Sequence, residues 1–122
     1  MSKALDFLKE CYPFFVVTVD GDRPAARPFG ALAEFENDLF IATSNAKAVY
    51  RQLKANGNVQ LTANRAGTRE WIRVSGTASE CTDISDKQRM MDACPILAKH
   101  YASADAPNLA VFRIKVKSCE FN

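Results

Sequence analysis

R-P-F-G-A-L-A-E-F-E-N-D-L-F-I-A-T-S-N-A-K, residues 27–47, is the stretch on which the architecture turns. It holds two strand-like runs joined by a tight turn at Asn37-Asp38. The second run stops in Thr43-Ser44-Asn45, and a helical pattern then opens with Lys47 in its first turn. An arginine begins this unit; two hydroxyls, an amide and a lysine at a helix start end it. The first N–H groups of a helix lack intrahelical acceptors and carry the positive end of its dipole, so such a junction suits an anion. It reads as a cradle for a phosphate-bearing ligand. Residues of the same types also cap ordinary helices, and the local pattern leaves both readings open.

Working backwards, residues 25–36 alternate, with Arg27, Phe29, Ala31, Ala33 and Phe35 on one face and Pro28, Gly30, Leu32, Glu34 and Glu36 on the other. Pro28 removes a ladder donor and Gly30 removes a side chain, which predicts a sheet edge, a bulge or a close backbone approach. Before them, residues 14–19 form a β-branched and aromatic strand, closed by the turn signal Asp20-Gly21. Leu5, Leu8 and Tyr12 recur at helical spacing, predicting a short amphipathic helix over residues 2–11 that Pro13 ends.

Working forwards, Ala46, Val49, Tyr50 and Leu53 make an apolar helical stripe over residues 46–56, beside a basic one of Lys47, Arg51 and Lys54. Ser44 or Asn45 is the expected cap, and Gly57 fits the position after the helix. Residues 58–64 predict a strand with Val59, Leu61 and Ala63 inward. Residues 70–82 predict a long one with a bulge at Gly76. There Trp71 and Arg73 share one face and Ile72 and Val74 the other. Ser85 with Gln88 matches a capping box before a helix that Pro95 kinks or restarts. Residues 109–121 alternate, with Phe112, Ile114 and Val116 inward and Arg113, Lys115 and Lys117 on a solvated face. Six strands, short hairpins and no βαβ rhythm give a mainly β fold, an antiparallel six-stranded barrel with a few helices.

The totals agree with one domain over residues 1–122 and exclude several classes. At 48% apolar and 25% charged the chain has ordinary globular composition. A net charge of +2 is far below the basic excess usual in nucleic-acid binders. No window approaches a membrane span, and Asp6, Lys9 and Glu10 interrupt any signal-peptide core, so the expected location is the cytoplasm. Cys11, Cys81, Cys94 and Cys119 lie far apart and His100 is the only histidine, so no metal spacing exists. No acid, base or nucleophile can be assigned a catalytic step.

The run F-F-V-V-T-V-D-G-D-R-P, then A-A-R-P-F-G-A, then L-F-I-A-T-S-N-A-K-A-V-Y-R-Q-L, and the late W-I-R-V-S-G-T-A together resemble the pyridoxamine 5′-phosphate oxidase-like FMN-binding split-barrel family, and within it the short bacterial members. The resemblance covers nearly the whole chain. It implies a six-stranded split barrel, a homodimer, and FMN in two grooves between subunits. It implies that Arg27, Pro28 and Phe29 lie along the flavin, and that Thr43, Ser44, Asn45 and Lys47 hold its phosphate with Gln52 nearby. It further implies that Trp71 and Arg73 reach the groove from the partner. The oxidase proper carries a basic and aromatic C-terminal segment that is not visible around S-C-E-F-N. The expectation is therefore not a true pyridoxamine phosphate oxidase but a flavin-dependent oxidoreductase, nitroreductase-like or an electron carrier. The alternative is a protein that stores or senses flavin without turnover, or one that holds another planar ligand such as haem, with His100 as a candidate axial ligand. A barrel binding single-stranded nucleic acid through Trp71 and Arg73 is a third reading, which the near-neutral charge opposes.

Overall fold

The computed structural model describes residues 3–122. Helix α1 (Lys3–Glu10) leads into β1 (Phe14–Asp20), β2 (Arg23–Phe29), β3 (Leu32–Phe35) and β4 (Asp38–Ser44). Helix α2 (Ala48–Ala55), β5 (Asn58–Asn64) and β6 (Trp71–Cys81) follow. Helix α3 (Ile84–Ala93), a 3-10 helix (Pro95–Lys99) and β7 (Leu109–Phe121) complete the described chain. Ser2, the expected first residue of α1, lies outside the described residues.

The strands form one antiparallel sheet in the order β2-β1-β5-β6-β7-β4-β3. Its two edges, β2 and β3, are consecutive in the chain and separated only by Gly30 and Ala31. The sheet thus curls until its edges approach through that link without pairing, which is a split barrel. Seven strands appear where six were expected, because the run over residues 25–36 breaks at Gly30 to cross from one edge to the other. The break also reverses the alternation. Phe29 packs into the barrel core, 6.3 Å from the ring of Phe14, whereas Ala31, Ala33 and Phe35 join a second apolar layer outside and Leu32 turns inward. The prolines of β2 fit its edge position, where missing N–H donors weaken no ladder.

Two apolar layers result. The barrel interior holds Val16, Leu39, Ile41, Leu61, Val74, Phe112 and Ile114, with Leu5, Phe7 and Leu8 of α1 and Val49 and Leu53 of α2 closing it. The outer layer holds Ala33, Phe40, Ala42 and Val111 beneath Met90, Cys94, Leu97 and Tyr101 of the α3 and 3-10 segment. Strand β4 is therefore buried on both faces, which is why it reads as a continuous apolar run.

Several local readings shift. The β3–β4 hairpin turns on Glu36 and Asn37, both at positive φ, one residue earlier than expected. Asp83, not Ser85, caps α3, its side chain accepting from the Ser85 N–H. Gly57 follows α2 without a positive φ; it is needed because a Cβ there would lie 2.7 Å from the carbonyl oxygen of Ala78. Tyr12 lies beyond α1 and is exposed rather than part of its apolar stripe. Arg113 is not merely solvated: it pairs with Asp38 and lies over the Phe40 ring. The expected bulge is present, with the register shifting between Ser75 and Gly76. Among the described residues no helix is long and apolar enough to cross a membrane.

Candidate functional site

The split between the barrel edges opens a groove of about 430 Å³. The β2–β3 break, the end of β4, the start of α2 and the 3-10 segment surround it, with Tyr12 before β1 and Asn108 before β7. Six of the ten residues expected at a cofactor site line it together: Arg27, Pro28, Phe29, Thr43, Ser44 and Lys47. No Asp or Glu lines it, so its fixed charge is positive.

Arg27 is organised by its own subunit. It pairs with Val16 across β1 and β2, so its side chain enters the barrel mouth. One terminal nitrogen donates to the Val16 carbonyl at 3.1 Å and the Thr18 hydroxyl at 2.8 Å; the other donates to Gln52 Oε1 at 2.6 Å. The Thr18 hydroxyl donates in turn to the same Gln52 oxygen at 2.5 Å. Gln52 is thus a holder of Arg27 rather than part of the groove lining. The guanidinium makes no salt bridge among the described residues. Burial draws its pKa below the ordinary arginine value, and the more distant Asp20 carboxylate opposes that shift. A half-buried cation without a carboxylate partner favours an anionic ligand.

The β4–α2 junction adds a second positive region. Lys47 occupies the N-cap of α2 and its side chain makes no capping bond. The expected caps are used elsewhere. Ser44 Oγ accepts from the Ala46 N–H at 3.2 Å, and the Asn45 side chain donates to the Pro107 carbonyl at 2.9 Å, outside the groove. The Lys47 ammonium has no ion-pair partner among the described residues, and the Thr43 hydroxyl no hydrogen-bond partner. An uncapped helix start, a free ammonium and adjacent hydroxyls match the donor set a phosphate takes up. On these observations the residues present fit a phosphate-bearing cofactor.

Trp71 and Arg73 do not line this groove. They stand outward at the start of β6, Arg73 with its guanidinium carbon 5.0 Å from the Trp71 ring centroid and bridged to Glu120 at 3.1 Å, while Ile72 and Val74 are fully buried. The pattern of residues 27–47 signalled a close approach at Gly30 but not the rest of the opposite wall, formed by Tyr12, Ile96, Leu97, His100 and Tyr101. Of these only His100 drew notice as a chemically active type, and its sequence neighbours gave no hint of the groove.

A family model described as pyridoxamine 5′-phosphate oxidase matches residues 1–122. Among solved structures, a NimC/NimA family protein from Clostridium acetobutylicum is similar at a TM-score of 0.86 and 31% identity, covering 98% of this chain and 88% of that one. General stress protein 26 from Bacillus anthracis is similar at 0.78 and 19%, covering 96% and 89%. A protein from Mesorhizobium loti described as FAD-binding is similar at 0.70 and 17%, covering 99% and 94%. No curated protein matches the chain.

Proposed function

The chain belongs to the pyridoxamine 5′-phosphate oxidase family, and we propose that it binds FMN in the groove of the split barrel and works as a flavin-dependent oxidoreductase on a small acceptor. The observation that carries this reading is the convergence of Arg27, Ser44 and Lys47 on one groove that no carboxylate lines. In this reading Thr43, Ser44 and Lys47 hold the phosphate. Arg27, kept in place by Gln52 and Thr18, supplies positive charge along the cofactor, and Pro28 and Phe29 flank it. Flavin brings the electron chemistry itself; the chain's residues bind it, orient it and exclude water. That fits a lining to which no catalytic acid or base has been assigned. The FAD-binding description of the Mesorhizobium protein supports a flavin.

The working unit we propose is a homodimer in which Trp71 and Arg73 reach the partner's groove. Their outward, half-exposed stacking leaves a flat aromatic and cationic surface suited to an interface. We assign the cytoplasm as compartment, where the four cysteines, all free, stay reduced.

One observation favours a second reading, a haem or other planar ligand held without turnover: His100 lines the same groove. The test is the visible spectrum of the purified protein followed by titration with FMN. Flavin bands, or quenching of FMN fluorescence that saturates at one flavin per chain, is the expected result. Protein that leaves FMN fluorescence unchanged overturns the flavin reading, and a Soret band on adding haem supports the second.

A further inference from the structure

The wall made by the 3-10 segment differs in kind from the cationic wall opposite. Tyr12, Gly30, Ile96, Leu97, His100 and Tyr101 line it without a carboxylate, lysine or arginine. Leu97 and Tyr101 anchor the segment in the outer apolar layer, but Ile96 remains 40% exposed and Tyr12 62%. Neither side chain is required by the core. The position of Tyr12 is nonetheless specific. A Cβ on residue 30 would lie 2.7 Å from its ring, so the ring rests directly on the Gly30 backbone. The His100 ring meets the Tyr101 ring edge-on, and its imidazole has no hydrogen-bond or ion-pair partner among the described residues.

We propose that this wall seats a second ligand, an uncharged planar ring bearing acceptor oxygens, of the quinone type. The exposed Tyr12 ring and the Ile96 side chain offer flat and branched apolar surface on which such a ring loses water. The polar side-chain groups of the wall are the Tyr12 and Tyr101 hydroxyls and the His100 imidazole, each able to donate and none carrying a carboxylate's charge. That inventory suits an uncharged ligand whose oxygens accept. An anionic ligand is drawn instead to Lys47 and Arg27 on the other wall. The groove therefore separates a charged occupant from an uncharged one. This inference deepens the flavin reading by naming the class of acceptor and takes from it the division of the two walls, but the two are tested separately.

The chain has one histidine, so its imidazole C–H resonances in a proton NMR spectrum belong to His100 alone. The probe is tetramethyl-1,4-benzoquinone, whose fully substituted ring leaves no position for addition of a cysteine thiol. It is titrated into the free protein and into the FMN-saturated protein, with flavin fluorescence followed in parallel. The expected result is a saturable shift of the His100 resonances in both, with FMN retained. Ile96→Glu, which puts a charge against the apolar face of the ligand, weakens that binding at least about tenfold. Ile84→Glu, at a site 53% exposed on α3, leaves it unchanged. Unmoved His100 resonances, or a shift indifferent to Ile96→Glu, overturn the proposal. So does displacement of FMN by the quinone, because the wall is then the seat of the flavin ring itself. Failure of FMN to bind removes the flavin reading alone, and the free-protein titration still decides this one.

Discussion

Arg27 and Gln52 meet through a 2.6 Å hydrogen bond that ties edge strand β2 to helix α2. Gln52 Oε1 also accepts from the Thr18 hydroxyl at 2.5 Å, so one amide oxygen serves two donors from two strands. The groove's inner cation is thus positioned by a residue that does not line the groove.

Replacing that acceptor tests the arrangement. Gln52→Leu leaves the Thr18 hydroxyl and one arm of Arg27 short of a partner in a part-buried setting, and a loss of about 1–3 kcal/mol in unfolding free energy is expected from urea melts. Gln52→Glu keeps the acceptor and adds a negative charge beside Arg27. It is expected to retain stability and weaken FMN binding. Equal behaviour of the two variants in both measurements removes the positioning role.

Lys47→Ala separates binding from folding. The ammonium has no ion-pair partner among the described residues, so thermal stability is expected to stay at the wild-type value. FMN affinity is expected to fall by roughly ten- to a hundred-fold, as for a lost charge-assisted hydrogen bond. Unchanged affinity in fluorescence titration takes the phosphate away from this junction.

Two glycines in tight places should respond oppositely to alanine. A Cβ at Gly76 would sit 2.4 Å from the Lys115 carbonyl oxygen, inside the β6–β7 ladder where backbone cannot yield. Gly76→Ala should cost about 2–3 kcal/mol in urea unfolding. At Gly30 the neighbour is the ring of exposed Tyr12, which can swing away. Gly30→Ala should stay within about 0.5 kcal/mol of wild type. Equal losses would mean that Tyr12 is rigidly held.

Glu36 gives a pH dependence whose sign follows from its partner. The hydrogen bond from Arg89 holds its carboxyl below the ordinary value of 4.5, with Arg113 adding to the effect. The contribution is therefore full above pH 4.5 and is lost as pH falls through the lower folded value. The pair is exposed and the effect small. Wild type should melt above Glu36→Gln at pH 7, and the gap should close in acid. A gap that stays constant down to pH 3 means that Glu36 does not act through its charge.

Trp71→Ala addresses the proposed homodimer. In that proposal one aromatic surface serves interface and groove, so sedimentation velocity should show a weaker dimer and FMN titration a weaker site. A variant that retains both properties places Trp71 away from any interface.

Much of the fold was legible because strand and helix periods leave direct marks. Val59, Leu61 and Ala63 alternate inward in β5 as read, and Ile72 and Val74 do so in β6. Gly21 and Gly67 mark turns through positive φ, and Gly76 marks the bulge. The seven-strand count was not legible. The break at Gly30 shows no turn pair, and the alternation looks continuous while the inward face changes parity.

The candidate site divides in the same way. Local sequence brought Thr43, Ser44 and Lys47 together, because a strand end running into a helix start compels neighbours in sequence to be neighbours in space. Arg27 could be suspected from the chain, but its bonds to Val16, Thr18 and Gln52 depend on antiparallel pairing and on where α2 docks. Ile96 and His100 meet the groove only because α3 and the 3-10 segment pack on the outer face of β4, and Tyr12 meets it by resting on Gly30. The sequence by itself determined most of the elements, the inward faces of β5 and β6, and the grouping of Thr43, Ser44 and Lys47, since each depends on residues a few positions apart. Only the tertiary structure decided the groove's second wall and the holder of its arginine. Those contacts join segments that no local period relates: the second wall forms where the 3-10 segment packs on β4, and the holder where α2 docks beside β1 and β2.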